Sequence, residues 1–140
     1  MKKVLGIMLL TVSSFFIVGC GLTDTTTAPL SGTDVITFEV YRENGVLAAT
    51  ATTGYSVEDT LLSLLSGIFV VYCAGEDGEP DDTCTYEGSF GVYLVGIAGV
   101  MADDANEYIA FYVDGEYAVT GIGATALVGG SVYAFKLETF

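Results

Sequence analysis

Histidine is absent from this 140-residue chain, which removes the commonest routes to catalysis. No Ser-His or Cys-His pair can activate a nucleophile, and no imidazole can hold a metal. Carboxylates and phenols are plentiful instead, with 18 Asp and Glu and nine Tyr. The densest acidic run is Glu76, Asp77, Glu79, Asp81 and Asp82, around Gly78 and Pro80. Such a set of oxygens suits a hard cation like calcium, which takes about six to eight. The spacing departs from an EF-hand loop and Pro80 interrupts it, so a solvated acidic turn competes with a metal site. Asp103, Asp104, Asn106 and Glu107 form a sparser second group. Among the tyrosines, Tyr108 and Tyr112 fall on one face of a candidate strand, with Ile109, Phe111 and Val113 on the other. Together with Tyr117 they could stack a planar ligand or a partner protein, although outward tyrosines are also common on thin sheets. Lys136 stands alone in its strand, and every acidic cluster lies in loop-forming sequence. The chain therefore points to binding and not to an enzyme.

The N-terminus adds a different chemistry. Lys2 and Lys3 precede an apolar run from Val4 to Val18. The run is short for a permanent membrane helix, which needs about 20 residues, and fits the h-region of a signal peptide. It ends in Ile17-Val18-Gly19-Cys20. This ending resembles the lipobox of bacterial lipoproteins, in which the cysteine thiol takes a diacylglycerol and the peptide is cut just before it. The resemblance implies a signal peptide over residues 1–19 and lipidation of Cys20, with two acyl chains for stable anchoring at the extracytoplasmic face of the cell membrane. Residues 20–33 then form a small, hydroxyl-rich tether. With Cys20 so used, Cys73 and Cys84 remain as a candidate disulfide in an oxidising compartment; two free thiols are the competing reading.

Cleavage would remove Lys2 and Lys3 and leave Arg42 and Lys136 against 18 acidic residues, a net charge of −16. No basic footprint exists to displace counterions from a phosphate backbone, so nucleic acid is excluded as a partner. Simple solubility accounts for the charge, and attraction of cationic ligands is the functional alternative.

Residues 34–140 have the size of one ordinary domain. Val35 to Tyr41 alternates in the manner of a half-buried strand, with Ile36, Phe38 and Val40 facing inward. Asn44-Gly45 predicts a tight hairpin into a second strand over 46–52. Ser56 is placed to cap a helix, with Asp59 completing a reciprocal exchange. Val57, Leu61, Leu64, Leu65 and Ile68 would form its apolar face. Strands are expected over 69–73, 90–97, 108–113, 116–119 and 131–138, with Asp114-Gly115 and Gly129-Gly130 as turns. The layout is α+β: a β-grasp-like mixed sheet with one amphipathic helix packed on it.

The run Glu107 to Glu116, then Gly121-Ile122 and Leu127 to Ser131, resembles the transcobalamin-like C-terminal domain family of bacterial surface lipoproteins. Gly54 to Leu61 is similar to that family's turn into its helix, and Phe90 to Val100 to its middle strand. The resemblance covers nearly all of residues 35–140. Its departures are Ile109 in place of the family's Trp, Asp114 in place of its hairpin Asn, and Gly130-Ser131 in place of its Gly-Asp turn. The helical partner domain of the animal cobalamin carriers has no counterpart in this chain. The resemblance implies a β-grasp-like fold and capture of a small ligand, such as cobalamin or another corrinoid, for a transporter component of an uptake system. Tyr108, Tyr112, Asp114 and Tyr117, around the second hairpin, are the residues expected to meet it. The alternative is a surface interaction or adhesion module that holds a protein or wall component, its acidic loops filled by calcium.

Overall fold

The computed structural model describes residues 35–103 and 105–140. Lys2, Lys3, the apolar run, Cys20, the tether, Asp34 and Asp104 lie outside the described residues. The strands are β1 (Val35–Tyr41), β2 (Leu47–Gly54), β3 (Val71–Ala74), β4 (Pro80–Asp81), β5 (Leu94–Ile97), β6 (Val100–Met101), β7 (Glu107–Val113), β8 (Glu116–Tyr117) and β9 (Val132–Thr139), with one helix, α1 (Leu61–Ile68), between β2 and β3. The fold is α+β. Its strands divide between two sheets where a single mixed sheet was expected. The larger has the order β2-β1-β9-β7-β8 and the smaller β4-β3-β5-β6. The larger sheet is mixed, because β1 and β9 run parallel while its other pairs are antiparallel.

The core follows from the strand alternation. Ile36, Phe38 and Val40 are fully buried, as their period-two spacing predicts. Beside them β9 contributes Tyr133 and Phe135, and β7 contributes Ile109 and Phe111. Phe111 stacks on Phe135 with ring centroids 5.1 Å apart, and Phe38 lies 6.0 Å from Tyr133. The Tyr133 hydroxyl cannot be left unpaired at that depth. It donates to the Ala126 carbonyl (3.0 Å) and accepts from the Val128 amide (2.8 Å), tying the long segment before β9 to the core.

Both hairpins form at the expected dipeptides. Asn44 and Gly45 have φ of 67° and 73°, and Asp114 and Gly115 have 51° and 84°, the left-handed backbone that tight hairpin turns demand. Cys73 and Cys84 are joined as a disulfide that fastens β3 to the loop after β4.

The helix begins later than expected. Its N-cap is Thr60, whose hydroxyl accepts from the Ser63 amide (3.1 Å) while the Ser63 hydroxyl accepts from the Thr60 amide (2.9 Å). Of the exchange assigned to Ser56 and Asp59 one half forms: the Asp59 carboxylate accepts from the Ser56 amide (2.7 Å) and hydroxyl (3.0 Å), while the Asp59 amide donates to the Ser56 backbone carbonyl (3.2 Å), closing a turn outside the helix. Val57, expected in the apolar face, is consequently fully exposed, and burial narrows to Leu61 and Leu65. Two further strands are shorter than expected. β5 starts at Leu94 because Gly88 and Gly91 pair into a small closed turn, and β8 ends at Tyr117.

Candidate functional site

Cross-strand partners share one face of a sheet, and this sorts the tyrosines. On the outer face of the larger sheet, Tyr108 lies opposite Glu138, Ala110 opposite Lys136, and Tyr112 opposite both Ala134 and Tyr117. The small side chain of Ala110 lets both rings lean toward one acceptor. Tyr108 donates to Glu138 at 2.9 Å and Tyr112 to its other oxygen at 2.7 Å. Those bonds hold both phenols above their ordinary pKa, Tyr112 at about 12, with desolvation and the Glu138 charge adding to the shift. The Lys136 ammonium sits 4.2 Å from the centre of the Tyr112 ring and 5.7 Å from that of Tyr41. Tyr41 donates to Glu39 at 2.7 Å, which likewise raises its pKa. The outer face is thus a closed polar layer whose hydroxyls are already committed.

A cleft opens at the β7–β8 end of that sheet, where the segment leading into β5 comes alongside. Its volume is about 310 Å³, at the lower end of the range for small-molecule sites. Its floor is buried and apolar, made by Val92, Leu94, Ile109, Phe111 and Ile122. Its rim is exposed and formed by Phe90, Tyr93, Tyr117 and Val119. Phe90 is 97% and Val119 98% exposed. Tyr108 joins the cleft to the outer layer and stacks on Phe140, with centroids 5.0 Å apart. Tyr117 meets Tyr112 edge to face at 5.4 Å. Partial burial beside Tyr117 raises the Tyr93 pKa.

Of the four residues expected to meet a ligand, Tyr108 and Tyr117 line this cleft, whereas Tyr112 belongs to the layer behind it. Asp114 has a structural task. Its carboxylate accepts from the Ser131 hydroxyl (3.0 Å) and the Val132 amide (2.8 Å), fastening the β7–β8 turn to the start of β9. Phe90, Tyr93 and Val119 were missed. Phe90 lies between Gly88 and Gly91 in what alternation assigned to a strand, and no periodicity marks an exposed ring on an irregular loop. Glu138 was missed because its partners become visible only once the β7–β9 register is known.

The acidic residues Glu76, Asp77, Glu79, Asp81 and Asp82 line a separate open depression beside Tyr72. They do not converge: among the described residues no three carboxylates, thiols or imidazoles group as metal ligands. Asp77 turns back to accept from the Glu79 amide (3.1 Å). Asp81 accepts from the Thr83 hydroxyl (2.6 Å) and amide (2.9 Å), which holds its carboxyl below the usual range. The loop closes itself through these local bonds.

No family model matches the chain, and no curated protein matches it. Solved structures do. A Ruminococcus gnavus protein whose description proposes metal binding superposes with a TM-score of 0.57 at 16% identity, over 76% of this chain and 98% of that one. Haptocorrin in complex with Cbi superposes with a TM-score of 0.52 at 16% identity, over 79% of this chain. The matched region spans 26% of the haptocorrin chain. At such identities the likeness is one of fold alone, shared with that part of haptocorrin and with the Ruminococcus gnavus protein.

Proposed function

We propose that this domain is a non-catalytic capture module, and that the cleft between Tyr117 and Phe90 is where it takes a flat, amphipathic small molecule. The observation that carries this reading is the pairing of a buried apolar floor with fully exposed Phe90 and Val119 on its rim. Apolar side chains left in water at the edge of a concave site gain free energy when a ligand covers them, about 1.5–3 kcal/mol for a fully buried ring of this size. The phenol groups of Tyr93 and Tyr117 add polar contacts at the mouth.

A corrinoid, a broad macrocycle with a fringe of amides, is the ligand class suggested by the likeness to haptocorrin. A cleft of about 310 Å³ would cover one edge of such a ring and leave the rest to a partner, such as a transporter component. The lipobox-like ending at Cys20 supports a lipidated protein held at the extracytoplasmic face of the membrane.

Calorimetric titration of the purified chain with cobinamide and cobalamin tests the reading. Binding at about micromolar, roughly −8 kcal/mol, weakened tenfold or more by Phe90→Ala, supports capture in the cleft. Binding unchanged in that variant moves the site elsewhere.

One observation favours a second reading, a surface interaction module. Strand β2 is the open edge of the larger sheet, and its eight residues, Leu47–Gly54, carry no charge and no proline. Such an edge is suited to strand addition by an extended partner. Proline at Ala49 would abolish that binding while leaving the cleft intact.

A further inference from the structure

The surroundings of the cleft carry information about ligand charge. Its lining holds no ionisable group other than tyrosine. Three other depressions share walls with it, and each contains carboxylates. One adjoins through Tyr93 and contains Glu79 and Glu107. A second adjoins through Tyr117 and Val119 and contains Asp114 and Glu116. The third adjoins through Phe90 and Val92 and contains Glu87. None of the three is lined by lysine or arginine. The chain's bases beyond the N-terminal run are elsewhere: Lys136 lies over the Tyr112 and Tyr41 rings, and Arg42 stands beside the β1–β2 turn. The result is an aromatic slot with carboxylates, and no lysine or arginine, in each of these three adjoining depressions.

We propose that the cleft selects planar organic cations and turns away anions of the same shape. The inference rests on the capture reading above and adds the charge class of the ligand. Ring faces attract a cation through their quadrupoles, and a low-dielectric slot bordered by charges of one sign concentrates its field at the mouth. Aromatic walls alone would accept either sign. The carboxylates on each flank make the choice.

The test uses two nearly isosteric three-ring probes, cationic proflavine and anionic anthracene-2-carboxylate. Each is titrated by fluorescence into the full chain in phosphatidylcholine nanodiscs, with empty nanodiscs as the blank. The expected result is one proflavine site, weakened at least tenfold by Phe90→Ala, a change that leaves net charge untouched. Anthracene-2-carboxylate should bind at least tenfold more weakly. Replacing the flanking pair, Glu87→Gln with Glu116→Gln, should weaken proflavine several-fold, and the remote pair Glu43→Gln with Glu58→Gln should not. Circular dichroism checks that each variant is folded. Equal binding of the two probes, or equal effects of the flanking and remote pairs, overturns charge selection. If both probes bind equally and Phe90→Ala still weakens them, capture in the cleft stands without it. If neither probe binds, or Phe90→Ala changes neither, charge selection falls, and the cobinamide titration with Phe90→Ala decides capture by itself.

Discussion

Tyr112 and Glu138 show how a single acceptor can organise a sheet surface. Glu138 takes the hydroxyls of Tyr108 and Tyr112, and the Lys136 ammonium rests on the Tyr112 ring. The Tyr112 pKa is raised from 10.0 to about 12, first by that hydrogen bond. A group whose folded pKa is raised keeps its proton longer in the folded state than in the unfolded one. Its stabilising contribution is therefore complete below pH 10 and is lost as pH climbs through about 12. Tyrosinate absorbance near ~295 nm should show Tyr112 ionising late, and Glu138→Gln should move that step down toward the ordinary tyrosine range. An unmoved step would mean that the bond to Glu138 is not its cause. Asp114 makes the contrasting case. Asp114→Ala removes the carboxylate that holds Ser131 and Val132 and puts alanine at a φ of 51°. Urea unfolding should register a loss of about 1–2 kcal/mol, kept moderate because water reaches the site. Affinity for an uncharged ligand should stay within about twofold, since the carboxylate bonds to Ser131 and Val132 and does not line the cleft.

At the scale of elements, the legible parts of the sequence were those governed by short-range rules. Alternation placed Ile36, Phe38 and Val40 in the core, and Asn44-Gly45 and Asp114-Gly115 marked the two hairpins, because strand period and turn chemistry are local. The helix start was misplaced for an equally local reason. Ser56/Asp59 and Thr60/Ser63 are cap-like pairs four residues apart in register, but only Thr60 and Ser63 complete the reciprocal exchange, and Leu61 and Leu65 pack behind it. The division into two sheets and the cleft between them depend on register and tertiary approach, which no window of sequence contains. Two measurements probe these elements. Leu65→Ala should cost about 2–5 kcal/mol in chemical unfolding, as expected for truncating a fully buried leucine; a cost below about 1 kcal/mol would show that α1 does not close the core. Reducing the Cys73–Cys84 bridge, whose cysteines are 11 residues apart, should cost about 3 kcal/mol through the freedom returned to the unfolded chain. Far-ultraviolet circular dichroism of the reduced protein should still show the larger sheet.

For the whole molecule, the candidate site emerges from the packing of two sheets that are individually unremarkable in sequence. Tyr108 and Tyr117 were visible as an aromatic cluster beside a hairpin, whereas Phe90, Tyr93 and Val119 came into place through the loops that lead into β5 and out of β8. The charge of −16 beyond the signal-like run fits the same picture of a slot whose adjoining depressions contain carboxylates. Lipidation at Cys20 belongs to this scale too. Mass spectrometry of the protein from a bacterial host should find a diacylglyceryl group on Cys20 as the first residue, and Cys20→Ala should leave the chain unlipidated. The most direct test of ligand capture is a spectrum of the chain labelled with carbon-13 in its tyrosine rings, recorded as cobinamide is added. Capture in the cleft predicts shifts at Tyr93, Tyr108 and Tyr117 that saturate together, with Tyr72 beside the acidic loop unmoved. Shifts centred on Tyr72, or none at any tyrosine, would contradict it.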